Sequence, residues 1–228
     1  MADTLVVLCT LGLRAALATL GPEFERQSGC RLDLRFESSN ALMQRIAAGE
    51  RADLAILVDT ALQTLAREGK TDARVDLVLS RVGIAVRAGA TKPDIGTVDA
   101  FVDTLCAAQS VAYTRTGASG IHFARVLERL GISNEINAKA RVQDGFTGEL
   151  AARGEAELAV QQLSELAAVD GIDIVGPIPE ELQQVTTFSA AIFSHAEQPA
   201  AAQALITFLA SAAAAPALRA SGLEPVNA

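Results

Sequence analysis

The sequence is poorest in the residues that build stacking platforms and metal centres. Among 228 residues there is no tryptophan, one tyrosine, eight phenylalanines, two histidines and three cysteines. Aromatic base-stacking surfaces and tryptophan-lined sugar sites are therefore excluded. Two histidines and the unclustered Cys9, Cys30 and Cys106 supply no metal set, so neither a metal nor a cofactor is expected. No GxGxxG follows a strand pattern, and GxxxxGK[ST] and GxSxG are absent, which sets aside dinucleotide, nucleotide-hydrolysing and serine-hydrolase chemistry. Long hydrophobic runs are missing as well. The alanine-rich stretch 200–215 is broken by Gln203, Thr207 and Ser211 and followed by Pro216, too short and too small in side chain to enter a bilayer. Ahead of the apolar residues 5–8, the opening Met1-Ala2-Asp3-Thr4 has neither a basic region nor a leader-like apolar segment. A cytoplasmic location is expected as the sequence stands, and a periplasmic one if a leader has been removed. Cys9 and Cys30 fall at opposite ends of neighbouring predicted strands, roughly 15 Å apart, so no disulfide is expected between them.

What is present is a half-apolar chain rich in alanine, leucine and valine, with 27 acidic against 19 basic residues and a net charge of -8. That length supports one large domain or two lobes, and that charge argues against nucleic acid as the partner. Strand and helix patterns alternate in the manner of βαβ units. Strands are predicted over 4–9, 31–36 and 53–58, with helices over 13–28, from the Ser38-Ser39-Asn40 cap to Gly49, and over 60–69. Residues 75–88 are apolar for longer than one strand needs and are interrupted by Ser80, Arg81 and Gly83, the mark of a strand leaving one lobe and entering another. Helices over 97–107, 121–130 and 147–153 and strands over 110–113, 139–142 and 157–161 then form a second unit, and residues 185–193 lead back. The expected fold is α/β, each lobe a mostly parallel sheet covered by helices and joined to the other by two crossover strands. Lobe 1 is expected over 1–82 and 187–228, and lobe 2, inserted, over 83–186.

Three segments share one design, in which a strand ends, a small or hydroxyl-bearing turn follows and a helix begins. They are Thr10-Leu11-Gly12-Leu13-Arg14, Glu37-Ser38-Ser39-Asn40 and Thr114-Arg115-Thr116-Gly117-Ala118-Ser119-Gly120. Helix starts carry open N–H groups and partial positive charge, so such turns suit anions, and three at the carboxyl ends of strands point to an anionic ligand in a cleft between lobes. Arg14 and Arg115 add guanidiniums that match a carboxylate bidentately. Gln161 and Gln162, at the end of a strand, are expected to reach the same cleft. His122 and Glu37 are the candidate proton carriers near it, and His195 reads as surface.

The order of apolar strand, helix and the block Phe36-Glu-Ser-Ser-Asn-Ala-Leu-Met-Gln-Arg-Ile-Ala-Ala-Gly-Glu-Arg-Ala-Asp-Leu-Ala-Ile resembles the periplasmic molybdate-binding proteins of ABC transporters. Thr116-Gly-Ala-Ser-Gly-Ile continues the likeness, which covers nearly the whole chain. The resemblance implies the type II periplasmic-binding-protein fold, with an oxyanion held between lobes by hydroxyls and backbone amides. It also implies that the family's first binding serine falls at Gly12, its second at Ser39, its helix-start alanine at Ser119 and its closing tyrosine at Gln162. Losing one hydroxyl and the tyrosine while carrying Arg14 and Arg115 favours a di- or tricarboxylate over molybdate. Two readings follow: a solute-binding protein, with an ABC permease as partner if exported, and an intracellular isomerase like the family's aconitate-isomerase offshoot, which moves a double bond in a tricarboxylic acid by proton transfer. A third, the effector domain of a transcription regulator, would need a DNA-binding module that is not in this sequence.

Overall fold

The computed structural model describes residues 4–226. Packing divides the chain into two units: one runs to Ser80 and resumes at Thr186, and the other is Arg81–Val185. The first begins β1 (Thr4–Thr10), α1 (Arg14–Ser28), β2 (Arg31–Glu37), α2 (Ser39–Ala47), β3 (Leu54–Val58), α3 (Asp59–Arg67), β4 (Val75–Ser80). The second contains β5 (Val82–Arg87), α4 (Val98–Ala107), β6 (Val111–Tyr113), α5 (Ala118–Leu130), α6 (Ser133–Ala138), β7 (Ala140–Val142), α7 (Gly148–Ala152), β8 (Leu158–Gln162), α8 (Leu163–Leu166) and β9 (Ile172–Pro177). The first unit is completed by β10 (Thr186–Ile192), α9 (Pro199–Leu209), α10 (Ala215–Ala220) and β11 (Glu224–Pro225).

The two sheets have orders β11-β4-β10-β3-β1-β2 and β7-β6-β8-β5-β9. β1 runs parallel to β2 and β3, and β6 parallel to β7 and β8, as βαβ connections require. β10 is antiparallel to β3 and β4, and β5 antiparallel to β8 and β9. The sheets are therefore mixed, not mostly parallel. Val82 pairs with Gln162 and Thr186 with Ser80, so β5 and β10 each start where a neighbour finishes and run back against it.

Both faces of each sheet are covered, which explains the continuous apolar runs in the strands. In the first unit Leu5, Val7 and Cys9 face α1, α9 and α10, while Leu8 packs with Leu42, Leu62 and Leu65 of α2 and α3 on the other side. In the second, Val82, Ile84, Val111 and Val160 pack with Phe101, Phe123 and Leu127. Its opposite face presents Ala85, Ala112 and Ala159, and this small-residue surface lets the short helices α7 and α8 lie close through Leu150, Ala151 and Leu166. Gly83 has the same effect: a Cβ there would stand 2.3 Å from Leu163 Cδ2 and 2.7 Å from the Gly176 carbonyl oxygen. The three cysteines are free, and among the described residues no helix is long and apolar enough to cross a membrane.

Candidate functional site: strand-end turns in each unit

In the first unit the carboxyl ends of β1, β2 and β3 lie together, since β1 pairs in parallel with both neighbours. After β1 the chain makes a 3-10 turn, Leu11–Leu13, whose three residues, Gly12 included, are buried before α1 starts at Arg14. Arg14 is exposed, and its guanidinium carbon lies 5.7 Å from the Phe36 ring centroid, which places the cation over the end of β2. Glu37 ends β2 and is exposed. Ser38 caps α2, its hydroxyl accepting the Ala41 N–H at 3.2 Å. The neighbouring Ser39 is buried, and its hydroxyl accepts the Val58 N–H at 3.1 Å, tying α2 to the end of β3. A hydroxyl that accepts a backbone N–H still has its proton to donate, so Ser38 and Ser39 both remain donors for an anion.

The second unit handles the same position differently. α5 starts at Ala118, three residues before the predicted 121, so Ser119 and Gly120 belong to the helix and not to the turn. Two glycines among the four residues 117–120 read as loop, but Gly120 is required by close approach, because a Cβ there would stand 1.5 Å from the Thr114 carbonyl oxygen. The turn is fixed by the buried Thr114, whose hydroxyl accepts the N–H groups of Thr116 (3.2 Å) and Gly117 (3.3 Å). Gly117, the residue preceding α5, offers no side-chain cap, and the helix ladder opens with Ile121 N–H to the Gly117 carbonyl at 3.0 Å. The N–H groups of Ala118, Ser119 and Gly120 are left without an intrahelical acceptor. Ser119 is 1 % exposed and its hydroxyl has no partner among the described residues. Arg115 is exposed beside them and forms no ion pair or hydrogen bond among the described residues. Open N–H groups, the Ser119 hydroxyl and a guanidinium thus stand together at one helix start, donors of the kind that suit an anion.

Several expected ligand groups have other duties. The Thr116 hydroxyl donates to Asp144 Oδ1 at 2.9 Å, and its N–H goes to Thr114, so Thr116 secures the turn and the 143–147 loop. Gln161 is buried and faces inward: its Oε1 accepts the Thr147 N–H (2.8 Å) and hydroxyl (3.0 Å), and its Nε2 donates to the Gly145 carbonyl at 2.8 Å. Gln161 thus holds the 143–147 loop with both ends of its amide. Gln162, also buried, closes β8 opposite Val82. His122 lies on α5 with Nε2 2.7 Å from the Leu182 carbonyl oxygen, a link that anchors the segment before the return strand.

One group that the sequence pattern hides is Glu165, on α8 directly after β8. Burial pushes its carboxyl up to about 7, against the opposing pull of the Gln161 side chain and the Gln162 backbone. In a Leu-Ser-Glu-Leu turn a glutamate reads as a solvent-facing position. The available signal is the strand end immediately before it. Asp144 and Thr147 lie in the turn between β7 and α7, which lacks the run of small and hydroxyl-bearing residues that marks the other three turns.

A family model described as bacterial extracellular solute-binding protein matches residues 5–224. The chain belongs to that family. Within it, the chain is 44% identical over 234 residues to an aconitate isomerase from Pseudomonas sp, a match covering 99% of this chain and 89% of that protein. It is 23% identical over 197 residues to the molybdate-binding protein of Escherichia coli strain K12, covering 82% of this chain and 76% of that one. The solved periplasmic molybdate-binding protein of Azotobacter vinelandii superposes with a TM-score of 0.81 at 18% identity, covering 96% of this chain and 98% of that one. The fold is thus the type II periplasmic-binding-protein fold, in a branch of the molybdate-binding relatives that includes an aconitate isomerase.

Proposed function

We propose that this solute-binding-family protein binds a di- or tricarboxylate in preference to molybdate, through the strand-end turns described above. The observation that carries the reading is the start of α5, where Arg115, unpaired among the described residues, stands beside three open N–H groups and the Ser119 hydroxyl. A planar carboxylate accepts a guanidinium bidentately and helix N–H groups on its second oxygen, whereas a tetrahedral oxyanion needs only neutral donors arranged around it. Ser38, Ser39 and Arg14 give the first unit carboxylate donors of its own kind. Thermal unfolding with cis-aconitate, trans-aconitate, tricarballylate, sulfate and molybdate tests this. Stabilisation by the carboxylates supports the reading, and a response to molybdate alone overturns it.

A second reading builds on the first and is favoured by the 44% identity to an aconitate isomerase across 99% of the chain. In it the bound tricarboxylate loses an allylic proton to a base, the freed electron pair forms the new double bond, and a proton returns to the far carbon of the old one. The open N–H groups of α5 and Arg115 would stabilise the negative charge that develops on the conjugated carboxylate. Incubation with cis- or trans-aconitate in D2O, followed by proton NMR, decides it: vinylic interconversion with deuterium uptake supports turnover, and an unchanged spectrum confines the protein to binding. An ABC permease partner and export belong to the binding reading, and a cytoplasmic location to the isomerase reading. Cell fractionation separates the two.

A further inference from the structure

The turn before α5 is held by a directed chain of hydrogen bonds that ends on a carboxylate outside it. Thr116 donates its hydroxyl proton to Asp144 Oδ1 at 2.9 Å. A hydroxyl has a single proton, so in the 3.3 Å contact between the Thr114 and Thr116 hydroxyls Thr114 is the donor. The lone pairs of the Thr114 hydroxyl are then left for the N–H groups of Thr116 (3.2 Å) and Gly117 (3.3 Å), and it accepts both. Those two N–H groups are used inside the turn. The next three, of Ala118, Ser119 and Gly120, stay open beside the Ser119 hydroxyl, which is 1 % exposed and has no partner among the described residues.

Asp144 is in turn placed by its own loop. Gln161, buried on β8, accepts the Thr147 N–H (2.8 Å) and hydroxyl (3.0 Å) and donates to the Gly145 carbonyl at 2.8 Å. Gln143 donates from Nε2 to the Phe146 carbonyl at 2.7 Å. Gly145 has φ 82°, in the left-handed region that favours glycine, and the chain turns there directly after Asp144. The exposed carboxylate therefore stands on a braced loop, 28 residues along the chain from the threonine it fixes.

We infer that Asp144 is the positioning residue of the α5 turn: its oxygen fixes Thr116 and, through it, Thr114, while its charge opposes the anion that the turn receives. The inference rests on the carboxylate-binding reading. The two effects have opposite signs and belong to different properties of the side chain, since an amide keeps the acceptor oxygen and loses the charge. Without the acceptor nothing sets the direction of the chain. Thr114 and Thr116 then exchange donor and acceptor roles, and the Thr114 oxygen holds the two N–H groups of the turn less firmly. Loss of one such hydrogen bond is worth about fivefold in affinity. The charge acts through solvent, where one unit roughly 8 Å from the ligand changes affinity about twofold.

The test is calorimetric titration of tricarballylate into the wild type, Asp144→Asn and Asp144→Ala at pH 7. Asp144→Asn is expected to bind about twofold more tightly than the wild type, and Asp144→Ala about fivefold more weakly, a tenfold gap between the two variants. A residue that merely braced its loop, or acted by charge alone, would leave no such gap. Equal affinities in the two variants overturn the inference and leave the carboxylate reading intact. If no carboxylate binds the wild type, that reading falls and the inference with it. Should Asp144→Ala fail to fold, Thr116→Val replaces it, because it breaks the same hydrogen bond and keeps the Asp144 charge. Binding about tenfold weaker than the wild type then supports the inference, and an unchanged affinity overturns it.

Discussion

The two units build the turn at the carboxyl end of a sheet with different atoms. The first uses side-chain hydroxyls: Ser38 and Ser39 each accept one backbone N–H and keep a proton to donate. The second dispenses with a side-chain cap, presents the bare N–H groups of α5 and brings its turn so close to the helix that only glycine fits at 120. Replacing either hydroxyl removes one backbone hydrogen bond, a local loss that leaves the rest of the turn standing. A backbone subsite held by van der Waals contact fails as a whole when the contact is disturbed. The second unit is therefore expected to be the brittle half and the first the adjustable one.

The sharpest way to break this comparison is Gly120→Ala. The new methyl meets a backbone carbonyl that cannot step aside, so a loss of about 3 kcal/mol of stability is expected by urea denaturation. A fall of at least about a hundredfold in carboxylate affinity should accompany it, and a variant that keeps wild-type affinity would show that the α5 turn is not the subsite. Arg115→Ala comes next. Because Arg115 has no partner among the described residues, stability should stay within about 0.5 kcal/mol while affinity drops by one charge-assisted hydrogen-bond set, about 2 kcal/mol or thirtyfold by calorimetry. The same change at Arg14 should weaken binding less and cost about 0.5 kcal/mol of stability, since that guanidinium also covers Phe36. Ser39→Ala should lower affinity about tenfold and stability by about 1 kcal/mol, leaving the Val58 N–H without its acceptor.

The smallest effect expected lies away from both turns. Glu50 joins Arg45 at 2.5 Å and Arg35 at 3.0 Å, and the hydrogen bond from Arg45 is the main cause that holds its carboxyl below the ordinary value. A carboxyl depressed in the folded state stabilises above the unfolded value and loses that contribution as pH falls through the folded one. Thermal melts of Glu50→Gln against wild type should therefore differ by about 0.5 kcal/mol at pH 7, converge as the pH drops below about 4, and converge also in high salt.

Much of this was legible in the residues. Alternating apolar patterns, the Ser38-Ser39-Asn40 cap and the double apolar runs at 75–88 and 185–193 reflect local sterics and burial, which sequence encodes directly. The start of α5 was hidden because the helix tolerates Gly120 only through contact with the Thr114 carbonyl, a tertiary fact. Gln161 misled because an amide at a strand end is as suited to a buried loop clamp as to a ligand, and the deciding partners, Thr147 and Gly145, lie 14 and 16 residues away. Glu165 was hidden for a related reason, since the helix that carries it is seated through Leu163 and Leu166 on a sheet assembled from distant strands. The antiparallel β5 and β10 follow from where each strand enters its sheet, which no local pattern records.

The claim that matters most is that an organic carboxylate, not molybdate, is the ligand, and thermal unfolding in the presence of each anion tests it most directly. At a hundredfold excess over the dissociation constant, cis-aconitate or tricarballylate should raise the midpoint by about 5–10 °C and molybdate should leave it unchanged. A rise with molybdate and none with any tricarboxylate would contradict the assignment.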